Sequence, residues 1–213
     1  MDRECPSYYI EESAQKSLAD TEAVIDYITS ITMEQLTEEN PLPLIQPILT
    51  PRFAISCTDD LLEGVNRIYQ GATVYPLLLQ THISESQMEV ETTIKLFKNL
   101  PPHHLAESGE APHHPAGHSY SSIYDHFGLL GDRTILAHGV YLSEGELELI
   151  KARNSGLSHC AGSNFNLRSG VASVGRWLDM GIKVLYALPN LRRSLILKLW
   201  PCLQPCNLGR TRD

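Results

Sequence analysis

The chain has 213 residues, of which 42% are hydrophobic and 20% are charged, and its formal net charge is −8. This length and composition predict one globular domain with a buried core and exclude a disordered or fibrous chain. The negative charge argues against nucleic acid or an anionic membrane as a partner, and no apolar run approaches the roughly 20 residues of a membrane-spanning helix.

In chain order, the residue patterns predict a helix over 13–30, a short β-rich segment over 43–56, a helix over 58–70, a strand over 73–82 and a helix over 85–100. A strand over 133–139 and a helix over 143–156 follow, and then strands over 157–160 and 182–188 on either side of a helix over 171–180. The helix over 143–156 opens with the capping box formed by Ser143 and Glu146 and is expected to stop at Gly156. This alternation predicts an α/β fold with parallel strands.

Two segments depart from this alternation. Residues 101–119 form a Pro/His-rich insertion, which is either a surface insertion or a metal-binding tract. The last segment, residues 185–213, is apolar and basic, with no acidic residue between Asp179 and Asp213. We therefore predict a domain over residues 1–184 and a divergent basic tail over 185–213, whose removal after Val184 would leave the fold intact.

The cysteines and the first residues predict the cellular compartment. The five cysteines are scattered and odd in number, which is typical of reduced thiols rather than of a disulfide framework. The opening residues, "MDRECPSYYIEES", lack the cationic and apolar segments of a secretory signal. We therefore expect a cytoplasmic protein.

Two histidines end predicted strands. In "PLLLQTH", His82 stands at the carboxyl end of one strand, and Glu85 follows on the turn into the next helix. In "TILAHG", His138 ends a second strand and shares a face with Leu136. An imidazole binds zinc or iron, and a carboxylate beside a metal-bound water can accept its proton. The alternative is that each histidine caps a buried strand through a single hydrogen bond.

Four segments, "TPRFAISCTDDLL", "LQTHISES", "ILAHGVYLSEGEL" and "SHCAGSNFNLRSG", resemble the guanine deaminases of the amidohydrolase superfamily. They occur in that family's order and at similar spacing, from about "ECPSYYIEESAQKSLADTE" to "GIKV". "TPRF" followed by "SC" is specific to guanine deaminases, whereas "HISE" and "AHG" are shared by related amidohydrolases. The resemblance implies a partial (β/α)8 barrel, without the first strands and the end of the barrel.

The resemblance also implies roles for individual residues. His82 would be a zinc ligand, Glu85 the acid–base group, and His138 the group that orients the attacking hydroxide or polarises the substrate. Arg52 would bind the guanine carbonyl oxygen, and Phe53 would lie against the face of the base. The implied substrate-binding residues are Arg52, Phe53, His82, Ile83, Ser84 and Glu85.

The implied activity is the hydrolytic deamination of guanine to xanthine and ammonia, a step of purine catabolism. It would use one Zn²⁺ per site and no organic cofactor, in an enzyme that forms a homodimer. Of the polar residues outside this set, Ser163 and Asn164 lie on the loop after "LSHC" and either line the pocket or are polar only for solubility. His159 follows a short strand and is either a residue of the site or a structural histidine.

The sequence departs from the family pattern in its metal ligands. The family uses a His-x-His pair on its first strand and an aspartate after its last strand, and no His-x-His occurs in this chain. We therefore expect an incomplete or alternatively spliced product or a gene-model error, with weak zinc binding and impaired deamination. The alternatives are an inactive fragment that serves as a binding or dimerisation partner, or an amidohydrolase that acts on another purine or a pyrimidine.

Overall fold

The computed structural model describes residues 1–3, 7–32, 43, 45–72, 74, 76–101, 118–186 and 197–198. Its strands are β1 (Ile48–Leu49), β2 (Leu78–Ile83), β3 (Thr134–His138), β4 (Gly156–His159), β5 (Lys183–Tyr186) and β6 (Leu197–Lys198). Its helices are α1 (Ala14–Thr32), α2 (Asp59–Gly71), α3 (Gln87–Leu96), α4 (Tyr120–His126), α5 (Glu144–Ala152), α6 (Ala161–Asn166) and α7 (Val174–Asp179), with one 3₁₀ turn at Ala54–Ser56.

The strands form one sheet in the order of the sequence, from β1 to β6. Strands β1 to β5 are parallel, and β6 pairs antiparallel with β5. Helices connect the parallel strands, because a parallel neighbour can be reached only by a crossover that returns the chain to the same end of the sheet. The predicted α/β class with parallel strands is confirmed. The described residues contain no helix long and apolar enough to cross a bilayer.

The hydrophobic core lies between one face of the sheet and the helices. In β2 the side chains alternate, so that Leu79, Thr81 and Ile83 are buried while the intervening residues, including His82, are half-buried. The core is completed by Leu136 and Leu157 of the neighbouring strands and by apolar residues of the helices. Burial of each large apolar side chain contributes about 1.5–3 kcal/mol.

The helix boundaries follow from capping side chains. Thr58 accepts a hydrogen bond from the Leu61 amide at the start of α2, and Ser143 and Glu146 form the predicted capping box of α5. However, α5 ends at Ala152 and not near Gly156, which is the first residue of β4. The chain leaves the helix through Asn154, whose φ of 60° is left-handed.

Two short helices were not predicted from the sequence. Helix α4 begins at Tyr120, directly after the predicted insertion, and the buried ring of His118 is tied to the Leu100 carbonyl at 2.7 Å. Helix α6 follows β4, where a polar loop was expected. Both helices are short, so neither contains enough residues to give a clear helical periodicity.

Two of the predicted segments lie largely outside the described residues. Residues 102–117 of the insertion lie outside the described residues, as do 187–196 and 199–213 of the tail. Strand β5 continues to Tyr186, past the boundary predicted at residue 184. The division into domain and tail stays a prediction.

Candidate active site

Side chains from three segments meet at the carboxyl ends of β2 and β3. The ring centroids of His82 and His138 are 4.9 Å apart. Glu85, on the turn between β2 and α3, places Oε1 3.3 Å from Nδ1 of His138. The two strands pair in parallel, with His82 opposite Ala137, so their ends open at the same edge of the sheet. The structure therefore brings together the three residues for which catalytic or metal-binding roles were predicted.

The backbone of His138 is turned out of the regular strand. His138 is the register partner of Ile83, so strict alternation would place its side chain on the core face, opposite to His82. Instead its φ is 78°, in the left-handed region, and its ring faces that of His82. Such a backbone costs about 1–3 kcal/mol for a residue other than glycine and is found preferentially at functional sites. His138 is buried like Leu136, with which it was expected to share a face, and the left-handed φ accompanies the approach of its ring to His82.

Arg52 and Phe53 lie beside the same strand end. The amide of His82 donates a hydrogen bond to the carbonyl of Arg52 at 3.1 Å. The Phe53 ring is 6.3 Å from the His82 ring and edge-on to it, and the guanidinium of Arg52 lies 5.3 Å from the centre of the Phe53 ring. Arg52 is exposed and Phe53 half-buried, so both side chains are accessible to a planar ligand at this edge.

Ile83, the last residue of β2, and Ser84, the first residue after it, are fully buried. Ile83 packs in the hydrophobic core, on the face of β2 opposite to His82. Ser84 has a φ of 49°, and its carbonyl accepts hydrogen bonds from the amides of Val140 and Tyr141. Both residues are therefore buried next to the site, and the expectation that they contact a substrate stays a prediction.

Tyr124 of α4 connects the end of β2, which carries His82, to the segment that carries Arg52 and Phe53. Its buried hydroxyl donates to the carbonyl of His82 at 2.8 Å and accepts from the amide of Ala54 at 3.0 Å. It also lies 2.9 Å from Oγ1 of Thr81. Burial raises the pKa of Tyr124 above its ordinary range, so the hydroxyl keeps its proton. Helix α4, which the sequence does not predict, therefore helps the His82–Arg52 backbone bond to hold Arg52 and Phe53 beside His82.

Helix α6 contributes two further side chains. Asn164 is buried and places Oδ1 2.8 Å from Nδ1 of His138, while Oγ of Ser163 lies 3.4 Å from Oε1 of Glu85. From the sequence, both residues are expected on a loop, where lining the pocket is one of two alternatives. Their position directly after a short predicted strand favours that alternative, because polar side chains at parallel strand ends converge.

The turn that carries Glu85 is held by a buried carboxylate. Oε2 of Glu89 accepts hydrogen bonds from the amides of Glu85 at 2.9 Å and Ser86 at 3.3 Å. Burial raises the pKa of Glu89, and the amide donors act in the opposite direction. These bonds fix where the backbone of Glu85 lies relative to His138.

Burial, followed by the neighbouring His138, lowers the pKa of His82 below the ordinary imidazole value. His82 is therefore neutral under ordinary conditions, which is the form that can act as a ligand or as a hydrogen-bond acceptor. His159, at the end of β4, is buried against the edges of Trp177 and Tyr186, and burial lowers its pKa as well.

The described side chains do not fit a complete zinc site. Within the part of the chain that the structure covers, no group of three or more histidine, cysteine, aspartate or glutamate residues is arranged to share a metal ion. Catalytic zinc uses three protein ligands, and Nδ1 of His138 already faces Asn164 and Glu85. His82 is the predicted ligand that remains available.

A family model for the amidohydrolase family matches residues 6–188. The chain is 39% identical over 179 residues to the probable guanine deaminase of Schizosaccharomyces pombe, which covers 84% of this chain and 29% of the relative. Among solved structures it resembles the guanine deaminase from C. acetobutylicum with bound guanine, with 33% identity and a TM-score of 0.67 over 87% of this chain and 37% of the other.

The fold is also similar to that of the zinc-complexed atrazine chlorohydrolase from Arthrobacter aurescens TC1, with 18% identity and a TM-score of 0.65. That alignment covers 86% of this chain and 34% of the other. The chain thus spans about a third of the length of the relatives it matches.

Proposed function

The chain belongs to the amidohydrolase family, and on that basis we propose that it carries the substrate-binding and proton-transfer residues of a guanine deaminase. Its five parallel strands are part of the (β/α)8 barrel on which such enzymes place their active sites. The observation that carries the proposal is the convergence of His82, Glu85 and His138 at the carboxyl ends of β2 and β3, with Arg52 and Phe53 beside them.

In the proposed complex, guanine stacks on the accessible face of Phe53. The guanidinium of Arg52 donates to the carbonyl oxygen of the base, which is an acceptor that arginine binds well. The adjacent His82 and His138 then face the carbon that bears the exocyclic amine.

The proposed reaction is a hydrolytic deamination. The oxygen of a water molecule adds to the carbon that bears the exocyclic amine, the bond between that carbon and nitrogen breaks, and ammonia leaves with xanthine as the other product. Glu85 accepts one proton of the attacking water and returns it to a ring nitrogen of the purine, which is the work of a general acid–base group. The second proton of the water passes to the exocyclic nitrogen, which leaves as ammonia. His138 lies 3.3 Å from Glu85 and assists by orienting the water or polarising the substrate.

One described residue of this chain is proposed as a zinc ligand. His82 is the proposed ligand, in a family whose fold occurs in the zinc-complexed chlorohydrolase. Because the described residues do not complete a zinc site, we assign no step of the reaction to a metal, and we propose that this chain binds guanine but turns it over poorly.

Guanine binding tests the proposal. We expect calorimetric titration to detect binding of guanine, and Arg52→Ala to weaken it by about tenfold or more, because a hydrogen bond from a charged donor contributes about 1.5–3 kcal/mol. The matched control is Arg67→Ala, an exposed arginine of α2, which should bind as the unmodified chain does. Undetectable binding, or equal loss in both variants, would refute the proposal. Adenine and cytosine titrated in parallel decide whether another base is preferred.

A second function is favoured by the incomplete set of metal ligands. A chain that spans about a third of its relatives and holds one predicted zinc ligand fits a non-catalytic binding or dimerisation partner. We propose that it would associate with a second copy or with a complete amidohydrolase subunit, in the cytoplasm. Light scattering of the chain alone and mixed with a guanine deaminase distinguishes these cases.

A division of the chain accompanies the proposal. Residues 1–184 are the proposed barrel domain, with the insertion at about 101–119, and residues 185–213 are the proposed divergent tail. The family match over residues 6–188 supports a boundary in this region.

A further inference from the structure

The contact between His138 and Asn164 has no role in the proposed function. Nδ1 of His138 and Oδ1 of Asn164 are 2.8 Å apart, and the two residues are 5% and 1% exposed. Asn164 comes from α6, 26 positions further along the chain. A buried hydrogen bond of this length holds the plane and the rotation of the imidazole ring, because breaking it leaves two polar atoms without water.

The surroundings of Nδ1 determine which ring nitrogen carries the proton. Oε1 of Glu85 lies 3.3 Å from the same nitrogen, and an ionised carboxylate only accepts hydrogen bonds. Nδ1 is therefore the protonated nitrogen, with the carboxylate and the amide oxygen of Asn164 as its acceptors. The reverse orientation of the Asn164 amide would require an unprotonated Nδ1 facing the carboxylate, which is repulsive.

We propose that Asn164 is a positioning residue that fixes His138 in the Nδ1–H tautomer and so presents the Nε2 lone pair to the site. An unprotonated Nε2 accepts a hydrogen bond and cannot donate one. His138 therefore orients the attacking water and does not polarise the substrate carbonyl. This choice between the two roles rests on the proposed function, whereas the tautomer itself does not.

Ser163 supports the same arrangement from the adjacent position. Its hydroxyl donates to Oε1 of Glu85 at 3.4 Å, on the oxygen that also faces His138. Helix α6 thus contacts both proposed catalytic residues through consecutive side chains. Ser163 helps to keep the carboxylate next to Nδ1, and Asn164 keeps the ring next to the carboxylate.

The test is the tautomer of His138, measured by long-range ¹H–¹⁵N correlation NMR on histidine-labelled protein without added metal. At about pH 8.5 free imidazoles are neutral, since their ordinary pKa is about 6.5. His138, assigned by comparison with a His138→Gln variant, should have a protonated Nδ1 and an unprotonated Nε2. An Nε2–H tautomer in the unmodified chain would overturn the proposal without any variant at Asn164.

Three variants show whether Asn164 is the cause. Asn164→Ala should free the ring to turn away from Glu85 and so give a mixture with Nε2–H. Asn164→Asp should keep Nδ1–H, because a carboxylate accepts but does not donate. Asn166→Ala, an exposed position on the same helix, is the matched control and should leave the spectrum unchanged. A pure Nδ1–H tautomer in Asn164→Ala, or a reversed one in Asn164→Asp, contradicts the proposal. If Asn164→Ala does not fold, an Nε2–H tautomer in the unmodified chain or in Asn164→Asp would still overturn the proposal.

The tautomer measurement is independent of guanine binding. A chain that has the expected tautomer and does not bind guanine refutes the proposed function and leaves the role of Asn164 intact. A chain that binds guanine and has the Nε2–H tautomer refutes the role of Asn164 alone.

Discussion

Replacing Tyr124 by phenylalanine removes one hydroxyl from the centre of the fold. That hydroxyl bonds the His82 carbonyl and the Ala54 amide, which lie 42 and 70 positions away in the chain. Phenylalanine keeps the ring and its packing, so the change isolates the hydrogen bonds. Both backbone groups would lose a buried partner in a region from which water is excluded.

The expected decrease in the free energy of unfolding follows from the loss of a partner by these two backbone groups. A buried polar group left without its partner costs about 1–3 kcal/mol, so two groups at about 1.5 kcal/mol each predict a loss of about 3 kcal/mol. For a chain of this size each kcal/mol lowers the midpoint of thermal unfolding by about 2–4 °C, which gives a decrease of about 6–12 °C. Urea unfolding followed by circular dichroism measures the free energy, with an unchanged m-value if the unfolded state is unaffected.

Tyr141→Phe is the matched control for this experiment. The Tyr141 hydroxyl makes a hydrogen bond of 2.7 Å to the carbonyl of Ser169, but the residue is 44% exposed, so water can replace the lost partner. We expect this variant to lose less than about 1 kcal/mol. Equal losses in the two variants would refute the reasoning that Tyr124 holds the site segments together through its buried hydroxyl.

Three further predictions concern metal, acidity and the end of the chain. Mass spectrometry of the purified protein should find well under one zinc per molecule, because a site with fewer than three protein ligands binds zinc weakly. The protein should also form little xanthine from guanine, and rapid turnover that a chelator abolishes would contradict this prediction. Burial lowers the pKa of His159, so between that pKa and the ordinary value of about 6.5 the unfolded state binds more protons than the folded state. Acidification through this range therefore lowers the free energy of unfolding, and it should lower it less in His159→Phe than in the unmodified protein. Equal acid sensitivity of the two proteins would contradict this assignment. A chain that ends after Val184 should keep the fold and unfold at the same temperature as the full chain; a lower midpoint would contradict the boundary, because Leu185 and Tyr186 pair with β4 and would then belong to the domain.

The sequence by itself determined the elements that are defined by local patterns. Helices α1, α2, α3 and α5 and strands β2 and β3 were predicted because apolar residues recur with the period of a helix or form a continuous buried strand. The sequence also placed His82 and His138 at strand ends, since the order of residues along a strand is independent of packing. Parallel strands made it reasonable to expect that these ends meet.

The tertiary structure alone decided how the side chains at these ends are directed. The ring of His138 faces His82 because its backbone adopts a left-handed φ, which alternation along the strand does not predict. The partners that hold the site, Tyr124 for His82 and Asn164 for His138, are 42 and 26 positions away and belong to short helices. Such contacts depend on how separate segments pack, and a single segment carries no periodic trace of them. Whether a metal site is complete also depends on the tertiary structure, because ligands from several strand ends form a site only where the fold brings them together.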